Sequence, residues 1–122
     1  MAETTMSIQE VANRLVELCR KGQILEVQEE LYSNEITSHE PAHSQVPPAI
    51  GKEAVLEKGK HFASSIEERH GGSFGDPIFG GDYFSISCSL DATFKGRGRS
   101  QINEICVFQV KDGKVISEQF FY

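Results

Sequence analysis

The chain has no tryptophan and no apolar run approaching the roughly 20 residues that a membrane-spanning helix needs, so no membrane partner is expected. Cysteine is scarce: Cys19, Cys88 and Cys106 form no close-spaced pair. That excludes a disulfide-stapled framework and fits reduced, mostly buried thiols in a reducing compartment. The opening MAETTMSIQE lacks the apolar core of a secretory signal, and a cytoplasmic location is the expectation. Cations are also short, 12 Lys and Arg against 18 Asp and Glu for a net charge of -6. Phosphate recognition depends on clustered Lys and Arg, so nucleic acid is not an expected partner. Repeats, linkers and low-complexity tracts are absent, and the 122 residues read as one domain, 1–122. Such a length buries about two-thirds of its unfolded surface around a single core and needs no staple.

What is present is strongly patterned. Ser7 and Glu10 form a capping box ahead of Ile8, Val11, Ala12, Leu15, Leu18 and Cys19, an apolar stripe at helical spacing that stops at Lys21-Gly22. A shorter helical pattern follows in Ile24, Val27, Gln28 and Leu31, too thin to stand without packing on the first. From Tyr32 the period changes, and Glu35 to His39 reads as a short strand. Gly51 opens a third helix, expected through about His70 with Val55, Leu56, Phe62, Ala63 and Ile66 inward and Gly71-Gly72 closing it.

The rest is β in character. Ser73 to Phe79 is a weak strand broken at Asp76-Pro77, and Gly80-Gly81-Asp82 makes a turn. From Tyr83 to Phe94, Phe84, Ile86, Cys88, Leu90, Ala92 and Phe94 alternate with polar residues, which defines a long strand with one buried face. Lys95 to Arg99 is a soluble hairpin tip, Ser100 to Val110 another strand, Asp112-Gly113 a tight turn, and Val115 to Tyr122 the last strand. The expected fold is α+β: a curved, mostly antiparallel sheet with three helices packed on its concave face. Ile105 and Val107 alternate with the equally apolar Ile102, Cys106, Phe108 and Val110, so the sheet is apolar on both faces. The uncovered face is therefore expected to pack against a second copy, giving a homodimer.

Within Thr37 to Gly51, His39-Glu40-Pro41-Ala42-His43 matches H-E-x-x-H, the zinc-protease pattern. That pattern works only on a helix, where histidines four apart share one face and one zinc ion. Pro41 removes a helix hydrogen bond and pushes Glu40 toward extended geometry, so a strand running into a loop is predicted instead. His39, Glu40 and His43 could still meet a metal in loop geometry, but nothing in the sequence fixes them, and neither metal nor cofactor is expected.

Four segments carry a family resemblance: Leu31-Tyr-Ser-Asn-Glu-Ile36, the Glu40-Pro41 step, Ile50-Gly-Lys-Glu-Ala-Val55, and Val110-Lys-Asp-Gly-Lys-Val115. In this order the chain resembles the nuclear transport factor 2-like superfamily, and within it the SnoaL-like polyketide cyclases and ketosteroid isomerases. The resemblance implies a cone-shaped fold with a pocket between the helices and the concave side of the sheet. Members use it for catalysis, for binding or merely as packed core, so fold alone does not settle function. The isomerases carry an acidic general base before a proline in the first strand, and Glu40 matches it. Their oxyanion-binding tyrosine in the first helix corresponds to Leu15, which cannot donate a hydrogen bond, and their second donor falls near Glu104 to Cys106.

On that pocket, Glu40 is the first candidate base, since burial brings a carboxylate toward neutral pH, where general bases work best. His39 competes with it, because alternation puts neighbours on opposite faces. Glu104 is the independent candidate, an acid in phase with Ile102, Cys106, Phe108 and Val110, where burial without a partner is costly. His43 and His61 are candidate substrate contacts, with Tyr83 and Asp91 weaker. Phe62, Phe84, Ile86 and Phe108 are expected as apolar lining or core. Two functions stay open: a cofactor-independent isomerase, cyclase or dehydratase acting beside a carbonyl, or a non-catalytic dimer that binds a small hydrophobic or carbonyl-containing ligand.

Overall fold

A computed structural model describes residues 5–122. Helix α1 (Ile8–Arg20) starts on the expected capping box, with Ser7 accepting from the Glu10 N–H and the Glu10 carboxylate accepting from the Ser7 N–H. Its stripe of Val11, Ala12, Leu15, Val16, Leu18 and Cys19 is buried. Helix α2 (Ile24–Leu31) packs against it and is tied to it by Arg14, which donates to both oxygens of Glu30. Strand β1 (Tyr32–His39) follows directly, then a 3₁₀ turn at Ala42–Ser44, the short strand β2 (Ala49–Ile50) and helix α3 (Lys52–Ser64).

The remaining chain is sheet: β3 (Ile66–Phe74), β4 (Ile78–Gly80), β5 (Tyr83–Phe94), β6 (Gly98–Lys111) and β7 (Lys114–Phe121). Strand order is β2-β1-β7-β6-β5-β3, with β4 also pairing β5. Every pair is antiparallel except β1 with β7, where the chain returns to place its last strand beside its first. This is the α+β, curved-sheet architecture the sequence predicts. The Asp112-Gly113 turn has both residues at positive φ, 52° and 74°, which suits the twist of a two-residue hairpin.

Cross-strand partners share a face, so the register sorts the side chains. Phe84 opposite Phe108 and Ile86 opposite Cys106 look toward the helices, and with Ile36, Val55 and Val115 they form the core. Ser87 opposite Ile105, and Ile105 opposite Phe121, look outward.

The third helix differs from expectation. It ends at Ser64, and Ile66 to Phe74 is a strand in which Gly71 and Gly72 are interior. Glu67, Glu68, Arg69 and His70 have helical propensity, but pairing along β5 overrides it. The strand lies at the sheet edge, where charged side chains remain solvated. Gly72 also has a steric reason: a Cβ there would meet the Ser89 carbonyl oxygen at 2.6 Å and Arg69 Nη2 at 2.9 Å. Of the five residues expected inward from this helix, only Val55 is fully buried; Phe62 is 45% exposed and leans on Phe94.

Candidate functional site

Where the core ends, the helix-facing side of the sheet stays open, and Cys88, Leu90, Ile102, Glu104 and Phe120 on it are only half-buried. The register of β5 and β6 pairs Glu104 with Cys88, beside the Ile86–Cys106 pair. Glu104 therefore points toward the helices, as its phase predicts. Burial is the main cause that raises its carboxyl above the ordinary range of about 4.5; nearby Glu40 and Glu118 add to this, while Cys106 and Lys58 oppose it. Among the described residues its one side-chain hydrogen-bond partner is the Cys106 thiol, 3.6 Å from Oε1.

Facing it is a chain of hydrogen bonds that starts deep in the core and ends at the rim. Tyr32 donates its hydroxyl to Glu118 Oε1, and Ser38 Oγ donates to Glu118 Oε2 at 2.6 Å. Lys58 Nζ, from α3, donates to Ser38 Oγ at 2.7 Å and to Glu40 Oε2 at 3.0 Å. The Tyr122 hydroxyl completes it by donating to Glu40 Oε1 at 3.0 Å. Lys58 also stands 5.1 Å from the centre of the Phe120 ring, and His43 meets Tyr122 edge-on at 5.7 Å.

Local sequence explains these placements. Ile36, Ser38 and Glu40 alternate on one side of β1, so Ser38 sits beside Glu118 of β7 in the parallel register. Thr37 and His39 take the other side, and His39 Nε2 bonds Thr37 Oγ1 at 3.1 Å. His39 and Glu40 are thus separated by the sheet. Pro41 is in extended geometry, φ -59° and ψ 149°, which confirms that the H-E-x-x-H segment is not an α-helix. Among the described residues no group of three His, Cys, Asp or Glu is placed to hold a metal ion.

Burial dominates the electrostatics. Glu118 is 5% exposed, and burial raises its carboxyl, opposed by Ser38, Tyr32 and Lys58. Burial likewise pushes the Tyr32 hydroxyl well above its usual range, with the Glu118 charge adding to the effect. The Tyr122 hydroxyl is raised by burial and then by its bond to Glu40. Lys58 is the cation shared by this set of carboxylates.

Other residues singled out in the sequence lie elsewhere. His61 is exposed in the last turn of α3, and Phe84 and Phe108 stack on each other at 5.0 Å inside the core. Tyr83 is on the outer face, and Asp91 is paired with Arg99 at 2.9 Å, near the hairpin tip. Leu15 is core, 1% exposed, and has no donor to offer. Among the described residues two shallow hollows are lined elsewhere, the second sharing Tyr32 with the network. One, of about 420 Å³, is lined by Ser73, Ser87, Ser89, Asn103, Ile105 and Phe121, with Cys88 and Glu104; the other, of about 450 Å³, involves Tyr32 to Glu35 with Lys52 and Lys114.

Sequence reasoning missed Lys58, Glu118 and Tyr122. The signal for Glu118 was available: it alternates with Phe120 and Tyr122, the same acid-in-an-apolar-row pattern that marks Glu104. Lys58 follows the buried Val55 by three positions, hence shares its side of α3.

Comparison with known proteins agrees with the fold. The sequence profile of the SnoaL-like domain matches residues 6–122, and the chain belongs to that family. It is similar to a solved structure of a candidate SnoaL-like polyketide cyclase from Mesorhizobium loti, 32% identical, with 96% of this chain and 100% of that one covered and a TM-score of 0.90. It also shares its fold with IdmH, a candidate polyketide cyclase from Streptomyces antibioticus (18% identity, 95% and 91% coverage, TM-score 0.70). A protein of ketosteroid isomerase-like fold from Catenulispora acidiphila, solved with trimethylamine, gives 15% identity, 93% and 85% coverage and a TM-score of 0.72. No curated protein sequence matches the chain.

Proposed function

We propose that this SnoaL-like domain binds a small carbonyl-containing molecule against the open part of its concave face and moves a proton on it without a cofactor. The observation that carries this reading is the difference between two carboxyl groups on one face. Glu40 has a donor on each oxygen, Lys58 and Tyr122. Among the described residues the only side-chain donor to Glu104 is the Cys106 thiol, and burial holds its carboxyl above the ordinary carboxylate range. Of two carboxyls in such contrasting settings, the buried one with the fewer donors is the better proton carrier.

The assignment shifts from the one the sequence suggests. Glu104 becomes the proton-transfer group, poised nearer to neutral pH. Glu40 becomes the anchor that orients Lys58 and Tyr122. Lys58 then supplies the positive charge for a developing enolate oxygen, the part that Leu15 cannot play. His43, edge-on to Tyr122, borders the ligand at the rim.

Cyclohex-3-en-1-one tests the proposal, because moving its double bond into conjugation needs one proton removed and one returned. Wild-type protein should accelerate the appearance of the conjugated ketone, and Glu104→Gln should lower that rate about a hundredfold, within the range of general acid–base effects. A wild-type rate equal to that in buffer would defeat the catalytic reading. Binding without turnover, seen as ligand-induced NMR shifts of concave-face residues alone, would support the second reading, a non-catalytic ligand-binding domain.

The outer face supports a homodimer in either case. Ile105 and Phe121 are paired across strands there and are 46% and 47% exposed, with Tyr83 and Ile78 also uncovered. A second copy would cover this apolar surface.

A further inference from the structure

Among the described residues Glu118 is the one acid that is buried. On β7 it lies opposite Phe108 of β6 and beside Ser38 of β1, 5% exposed, so a ligand on the open part of the concave face does not reach it. Burying an acid is costly, and an apolar side chain there would carry no such cost. The direction of its hydrogen bonds shows what the acid does. An ammonium donates and cannot accept. Lys58 Nζ donates to Ser38 Oγ at 2.7 Å, so the single hydroxyl proton of Ser38 must point elsewhere, and it goes to Glu118 Oε2 at 2.6 Å. Tyr32 donates to the other oxygen, Oε1. Glu118 accepts from both and donates to neither, as a carboxylate does. Its charge thereby holds the Ser38 hydroxyl with a lone pair toward Lys58.

Three N–H groups project from an ammonium. On Lys58 one is held by Ser38 and one by Glu40 Oε2 at 3.0 Å, just past the end of β1, and among the described residues nothing accepts from the third. Half-buried Phe120, whose ring centre is 5.1 Å from Nζ, belongs to the open part of the same face. We propose, resting on the role given to Lys58 above, that Glu118 is a positioning residue: acting through Ser38, it fixes the Lys58 ammonium so that its third N–H meets the carbonyl oxygen of the ligand. One bond, to Glu40, leaves an ammonium free to swing about it; the second, to Ser38, removes that freedom. Without the charge of Glu118 the Ser38 hydroxyl can turn its proton toward Lys58, and the second bond is lost.

The test has one readout that needs no activity and one that does. The first is exchange of the Lys58 ammonium protons with water, followed by NMR of nitrogen-labelled lysine and assigned with Lys58→Met. Glu118→Gln, which keeps the size of the side chain and removes its charge, should speed that exchange about tenfold, and Ser38→Ala should do the same. The double variant should exchange no faster than Ser38→Ala alone, because Glu118 acts only through the hydroxyl. Should Glu118→Gln not fold, Glu118→Asp, which draws the carboxylate back by one methylene, takes its place with the same expectation. The second readout is isomerisation of cyclohex-3-en-1-one, in which Glu118→Gln should lower kcat about tenfold and leave KM within about twofold, since the aimed N–H matters most as charge develops on the oxygen. A wild-type protein that leaves the ketone unchanged would defeat the catalytic reading alone, and the exchange measurements would still decide the role of Glu118. Unchanged exchange in Glu118→Gln, in a protein with wild-type circular dichroism, would overturn the proposal. So would an equal further increase when Glu118→Gln is added to Ser38→Ala, or a wild-type kcat in Glu118→Gln.

Discussion

Lys58 Nζ lies 3.0 Å from Glu40 Oε2, and the two side chains are 25% and 15% exposed. This is more than a surface ion pair, because the same nitrogen donates at 2.7 Å to Ser38, whose hydroxyl donates on to the buried Glu118. Removing the cation leaves buried acceptors short of a donor. Lys58→Met should therefore destabilise the protein by about 2 kcal/mol, a typical value for a charged hydrogen bond. Urea unfolding at neutral pH measures it; a stability equal to wild type would mean the pair is merely solvated.

Glu40→Gln should cost less, about 1 kcal/mol, since the amide oxygen can still accept one hydrogen bond. It should leave the rate of cyclohexenone isomerisation within about tenfold of wild type if Glu40 is an anchor. A loss as large as that of Glu104→Gln would return the proton-transfer role to Glu40.

The buried acids make stability depend on pH. Glu104 and Glu118 are raised above the ordinary value of 4.5 in the folded protein. A raised carboxyl stabilises the fold while protonated; its contribution is complete below 4.5 and is lost as the pH rises through the folded value. The stability of wild type relative to Glu118→Gln should thus fall between pH 4 and pH 7. Chemical unfolding at both pH values checks the sign, and a relative stability that rises with pH would contradict it.

Gly72→Ala tests the edge strand. Its new Cβ would press on the Ser89 carbonyl, a backbone atom that cannot swing away, and would crowd Arg69. Overpacking of this kind costs about 1 to 3 kcal/mol, so the melting temperature should drop by several degrees. An unchanged melting temperature would show that β3 shifts freely.

Ile105→Glu tests the outer face. The substitution places a charge among Phe121 and Ser87, remote from the core, and should leave the monomer folded. Light scattering at micromolar concentration should report a dimer for wild type and a monomer for the variant. A wild-type monomer would remove the dimer proposal.

Much of the fold was legible because its signals are local. The capping box at Ser7, the period-two run from Tyr83 to Phe94 and the Asp112-Gly113 turn each specify an element without reference to the rest of the chain. The segment from Glu67 to Gly72 was not legible, since its strand state depends on pairing with residues some 20 positions away. The site divides the same way. Phase alone put Glu104 on the helix-facing side and separated His39 from Glu40. Lys58 and Tyr122 join Glu40 only through tertiary packing, with α3 crossing β1 and the chain end returning alongside it. No periodicity in the sequence carries that information.

Burial lets Glu104, on the helix-facing side of the sheet, keep its proton to a higher pH than an ordinary glutamate. Carboxyl-carbon NMR of glutamate-labelled protein, with Glu104→Gln to assign the resonance, measures this directly. A Glu104 midpoint clearly above 4.5 that moves further up when Lys58 is replaced by Met is the predicted result. A midpoint at or below 4.5 would contradict it.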